Sequence, residues 1–312
     1  MPVPRPLRPL AVAVAVLALT CAAPARGDVV AARHGAWEVL TVRDGAAPVL
    51  VTRNGTDPSW SADRRTLAYV RRDGRVVLVR DGRRSPLRAW TRDAGGVVLS
   101  PAGDRLLVGD DDGWRAVDLA TGALRPVTRD PFAAPRFAPD GRSVAWSSFD
   151  HPYRAYVRAV DRPARARPLP FGGEDPVAVA WLGERLAVLH GELGVARRLS
   201  SFEPATGAVR PLPGTPHPDA VHLGATFGGR LVTVATVTES RDIGQISVLD
   251  VSGAGRELRT IGWTRGVLSE DVAFSQDGRE LYVTEFPHLH ALDLATGARR
   301  IVARNVDAIG VS

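Results

Sequence analysis

Carboxylates are the chemically capable residues that recur in register along this chain. Asp57, Asp93, Asp130, Asp175, Asp219, Asp271 and Asp307 each stand ahead of a short apolar run. Carboxylates held within one Debye length, roughly 8–10 Å at physiological salt, add their fields, resist ionising together and attract a cation or a basic segment. The competing reading is local: an Asp in a loop accepts from nearby backbone N–H groups and fixes the turn. Arg92, Arg129 and Arg304 also stand close enough in sequence to neutralise some of the seven. Asp57 and Asp271 lie three residues before Trp60 and Phe274, whereas Asp130 lies seven before Phe137 and Asp219 eight before Phe227. What recurs is therefore place within a unit more than the geometry of one turn.

Other constellations fall short of a chemistry. His288 and His290 share one face of a strand at the two-residue period, a start for a metal site, but no third ligand stands near. They are expected as a surface-facing pair away from any channel. Asp110-Asp111-Asp112-Gly113 has Thr121 where a calcium loop needs its twelfth-position Glu, so it reads as a polar hairpin. No GxSxG elbow exists. Asp140-Gly141 and Asp277-Gly278 are adjacent, which excludes the sialidase Asp-box. Ala116, Asp118, Thr121 and Gly122 fit a quinone-binding pattern whose Trp is replaced by Pro126. No catalytic residue, metal or cofactor is assigned.

The elements that position these residues emerge from a repeat. Phe137 to Ser148, FAPDGRSVAWSS, places the turn Pro139-Asp140-Gly141 between two apolar runs and reads as a hairpin. Related stretches begin at Pro58, Leu99, Val179, Ala225 and Ala273; their large apolar markers Trp60, Leu99, Phe137, Trp181, Phe227 and Phe274 are spaced by 39, 38, 44, 46 and 47 residues. A second half-unit recurs as WRAVDLATGALRPVT from Trp114 and LHALDLATGARRIVA from Leu289, each Gly standing where the turn needs positive φ. Periods of about 40 to 50 residues with four short strands predict a β-propeller. Asp28 onward supplies the second to fourth strands of a unit, and Asn305 to Ser312 the missing first strand. Six whole blades and one split blade make a seven-bladed, all-β propeller of four-stranded antiparallel blades, closed by the C-terminal strand because an open ring leaves bare edges.

Phe137-Ala138-Pro139-Asp140-Gly141-Arg142 and Phe274-Ser275-Gln276-Asp277-Gly278-Arg279 resemble the WSPDG-type repeat of the TolB-like β-propellers, a WD40-like group. The resemblance covers nearly the whole chain after residue 25 and implies an architecture that serves many roles. The additional α/β domain that precedes the propeller in TolB has no counterpart in this sequence, so a TolB-like role in an envelope complex does not carry over.

Residues 1–25 read as a secretory signal: Arg5 and Arg8, an apolar run from Leu10 to Leu19, then Ala23-Pro24-Ala25. The apolar run is too short to span a bilayer, and no transmembrane segment is expected after signal removal. Cys21 is the sole cysteine and a possible lipidation site, although Ala18 and Thr20 depart from the lipoprotein pattern. Residues 26–312 form the propeller domain. All 40 basic residues are Arg; scattered singly, they read as coding bias, and no nucleic acid is expected as partner.

The composite expectation is an exported, monomeric, non-enzymatic propeller, secreted, periplasmic or envelope-associated, that binds a protein or small ligand at the mouth of its channel through the seven aspartates. The alternatives are a lyase or hydrolase acting on a glycan, and a structural component of an envelope complex.

Overall fold

Each repeat folds because its turns are specified by their own residues. In the first turn of three units a serine follows the marker and bonds both ways: Ser61, Ser100 and Ser275 donate to Asp63, Asp104 and Asp277 at 2.6, 2.8 and 2.7 Å. The same oxygens accept from Thr66, Arg105 and Glu280 N–H at 3.0 Å. In the DLATG turns, Asp118 and Asp293 accept from the backbone and side chain of Thr121 and Thr296. Gly122 and Gly297 then take φ of 74° and 78°, the left-handed region that a Cβ disfavours.

The computed structural model describes residues 29–33, 37–42, 47–148, 154–161, 165–171, 174–192, 195–213, 220–227, 229–237, 243–252, 256–264, 272–275, 277–285, 287–306 and 308–310. Their strands form seven four-stranded antiparallel blades. Blade 2 is β4 (Thr56–Trp60), β5 (Thr66–Val70), β6 (Val76–Arg80) and β7 (Arg83–Pro86). Blade 3 is β8 (Gly96–Leu99), β9 (Arg105–Asp110), β10 (Gly113–Asp118) and β11 (Leu124–Thr128). Blade 4 comprises β12 (Arg136–Phe137), β13 (Ser143–Ser148), β14 (Arg154–Ala159) and β15 (Arg167–Pro168). Blade 5 comprises β16 (Asp175–Leu182), β17 (Arg185–Glu192), β18 (Val195–Phe202) and β19 (Val209–Pro211). Blade 6 is β20 (Ala220–Phe227), β21 (Leu231–Val237), β22 (Ile243–Asp250) and β23 (Arg256–Thr264), bridged to blade 5 at Ala196 and Ala220. Blade 7 is β24 (Val272–Phe274), β25 (Glu280–Glu285), β26 (His288–Asp293) and β27 (Arg299–Arg304).

Blade 1 is split as the sequence predicts. β28 (Ala308–Gly310) pairs antiparallel with β1 (Val29–Arg33), Ala31 opposite Ile309, ahead of β2 (Glu38–Val42) and β3 (Val49–Thr52). The core is correspondingly cyclic: each pair of neighbouring blades shares one apolar cluster. Across the closing interface Ala31, Leu40 and Val42 pack on Tyr282, Leu289 and Ala291; Trp60, Leu67 and Tyr69 of blade 2 pack on Val39 of blade 1. Burying a side chain of this size contributes about 1.5–3 kcal/mol.

The meander sorts the connections. First-to-second and third-to-fourth strand turns lie on one face, here the lower; second-to-third turns and the loops between blades lie on the upper. On the lower face arginines tie blade to blade: Arg80, Arg105 and Arg167 donate to the carbonyls of Gly103, Gly141 and Pro204 at 2.7, 2.9 and 2.8 Å. Arg259 reaches Leu294 and Ala295 at 3.1 and 2.6 Å. A planar guanidinium with several fixed donors can reach two carbonyls at once, which an ammonium does less well. Whatever set the codon usage, these arginines have structural work.

Candidate functional site

The upper face collects the loops that lead into first strands, so all four described aspartates of the predicted set lie at this level. They differ in what they do there. Asp130 fixes its own turn, accepting from Phe132 N–H at 2.9 Å. Asp175 is the first residue of β16, paired in the ladder with Gly191. Asp219, Asp271 and Asp307 lie outside the described residues. Asp57 and Asp93, from successive blades, line one common pocket of about 460 Å³.

That pocket sits between blades 1, 2 and 3 and is built by three loops. Trp37 comes from the β1–β2 connection, Arg71 to Gly74 from the β5–β6 connection, and Asp93 to Gly95 from the loop entering β8; Thr56, Asp57 and Val70 complete it. A bulge in β4 between Thr56 and Ser59 re-aims this stretch. Asp57 stands at φ 46° immediately before Pro58, a conformation that both a Cβ and a following proline disfavour. Gly74 is also required: at φ 73°, a Cβ there would stand 2.5 Å from the Asp93 carboxylate oxygen. Ala94 N–H donates to Gly74 carbonyl at 2.9 Å, pinning the blade 3 loop to the blade 2 turn.

The charges in the pocket are partly spent on one another. Arg71 pairs with Asp73 at 2.9 Å, and the Arg72 guanidinium lies 5.8 Å from the centroid of the Trp37 ring, a cation–π contact. Asp93 forms no hydrogen bond or ion pair among the described residues. Thr56 is 8% exposed, yet its Oγ1 has no hydrogen-bond partner, and Arg71 Nε is likewise buried and unpartnered. Both atoms are closed off from solvent, so they stand behind the pocket wall rather than on its surface.

Unmet polar atoms are not confined to this pocket: Asp130 Oδ2, Thr284 Oγ1 and His288 Nδ1 on the upper face are also buried with no hydrogen-bond partner among the described residues. At blade 5, His190 Nδ1 bonds Glu174, Nε2 lies 2.8 Å from Ser200 Oγ, and Arg198 pairs with the same Glu174. Serine, histidine and carboxylate in this order could activate a nucleophile. Here His190 is 5% and Ser200 6% exposed, and the Phe171 ring covers the imidazole at 4.5 Å between centroids. The arrangement anchors the loop before β16. Burial holds the His190 pKa below its ordinary value, against the opposing pull of Glu174.

At blade 7 the expected surface pair is corrected. His290 is 7% exposed and packs beside Glu285, Nε2 to Oε2 3.5 Å, while His288 is half-buried, its ring 6.0 Å from His290 in edge-to-face contact. The alternating period places both on one face, but the neighbouring blade covers it. Burial first, then Arg299, brings the His290 pKa down to about 4, against Glu285. Among the described residues no three His, Cys, Asp or Glu side chains are grouped to hold a metal ion. Asp110-Asp111-Asp112-Gly113 forms the expected hairpin, its acids tied to Arg92 and Arg115.

The sequence points to Asp57 and Asp93 but not to Trp37, Thr56, Arg71 or Arg72. These read only as strand and turn residues. Their shared signal is that they fall at upper-face positions of consecutive units.

Fold and site together define a seven-bladed β-propeller with an acid-rimmed pocket on its upper face. No protein-family profile and no curated protein matches the chain. Solved structures do. TolB from Acinetobacter baumannii superposes with a TM-score of 0.50 and 20% identity over 76% of this chain, which spans 63% of that one. The Cps50 (Swd1) β-propeller domain of Myceliophteria thermophila gives 0.60 and 18% over 83% of this chain and 89% of that domain. An oligogalacturonate lyase from Vibrio parahaemolyticus gives 0.62 and 15% over 85% and 82%. At such identities the likeness is one of fold. Among the described residues no helix is long and apolar enough to cross a membrane.

Proposed function

We propose that this chain is an exported, monomeric binding propeller that takes a protein or small ligand at the upper mouth, in the pocket between blades 1, 2 and 3. One observation carries the assignment: loops of three successive blades frame a 460 Å³ opening whose rim holds Asp57 and Asp93. Export rests on residues 1–25, with release after Ala25 or acylation at Cys21 placing the propeller in the medium, periplasm or envelope. N-terminal sequencing distinguishes a start at Arg26 from a lipidated Cys21; an uncleaved cytoplasmic product overturns export.

Binding is tested by recovering the chain from its native envelope or medium beside Gly95→Trp, a lining position where a Cβ meets only the Gly109 carbonyl at 3.8 Å, and identifying what each retains. Material held by the native chain and lost from Gly95→Trp is expected; equal retention overturns the pocket. A lyase acting on an acidic glycan is the alternative, favoured by the likeness to oligogalacturonate lyase. Incubation with oligogalacturonate, followed for unsaturated products, tests it directly.

A further inference from the structure

We draw no further inference here: the strongest candidate, the exposed belt of Arg83, Arg84, Arg125, Arg167 and Arg210 on the outer strands of blades 2 to 5, carries nothing further, because charge on such edges already serves to keep strands from pairing, Arg84, Arg125 and Arg167 donate to carbonyls of neighbouring blades, and nothing among the described residues shows what would cover the rest.

Discussion

Two regions of the upper face hold the same kinds of residue and have opposite fates. At blade 5, Glu174, His190, Arg198 and Ser200 satisfy one another beneath Phe171. Between blades 1 and 3, Asp57 and Asp93 share an open pocket, and Asp93 makes no hydrogen bond or ion pair among the described residues. A polar network that closes on itself rigidifies a loop; one left open is a place to bind. Acids recurring at one level of a propeller are thus no evidence of function until their partners are counted. Asp130 accepts from the N–H of Phe132 through Oδ1 while its Oδ2 is buried with no partner among the described residues, so it belongs to neither class outright.

The largest expected effect tests whether both regions depend on the closed ring. Deleting residues 305–312 removes β28 and bares β1 together with the cluster around Tyr282. Loss of ladder bonds and apolar contacts should cost about 3–5 kcal/mol, a fall of roughly 10 °C in melting temperature for a domain of this size. Binding at the pocket, which uses Trp37 of blade 1, should fail with it. A melting point within two degrees of the full chain would mean that the split blade does not close the ring.

Next is the closed network alone. His190→Ala leaves Glu174 and Ser200 without their shared partner in a covered site, and a loss of about 2–3 kcal/mol is expected on chemical denaturation. Retention of native material at the distant pocket should be unchanged. If His190→Ala is silent in stability, the blade 5 network is no anchor and its serine must be examined as a nucleophile.

Acid should separate the regions further. His190 and His290 are both held below the 6.5 of an exposed imidazole, His290 at about 4. Between those values the unfolded chain binds the proton that the folded chain refuses. For His290 the contribution is complete above pH 6.5 and is lost as pH falls to about 4, by roughly 3 kcal/mol, and His190 adds a loss that begins below 6.5. Melting temperatures measured from pH 7 to 4 should fall, and His290→Gln should flatten the descent. A pH-independent melting point over that range would remove the buried-imidazole account.

The smallest effect lies at the open site. Asp93→Asn removes no described partner, so stability on chemical denaturation should move by less than about 0.5 kcal/mol. A clear loss of stability would return Asp93 to the turn-fixing class of Asp130.

Much of the architecture was legible in the residues. The marker spacing from Trp60 to Phe274, the glycines of the DLATG turns and the incomplete units at both ends all report local or periodic constraints. A turn needing positive φ must draw on glycine, and a blade face must be apolar on alternate residues, wherever in the ring it lies. The side-chain partners were not legible, because they cross between units some 35 to 40 residues apart. Nothing near Asp57 in sequence says that it meets Asp93. Nothing near Arg259 says that its guanidinium is spent on Leu294 and Ala295 carbonyls.

Sequence by itself thus determined the number of blades, their closure and the face on which Asp57, Asp93, Asp130 and Asp175 lie, since these follow from turn chemistry and period. Only the tertiary structure decided which acids are spent and which are open, and that His290 is covered where a surface position was expected. Neutralisation and burial are properties of neighbours in space. In a ring of blades those neighbours come from the adjoining unit.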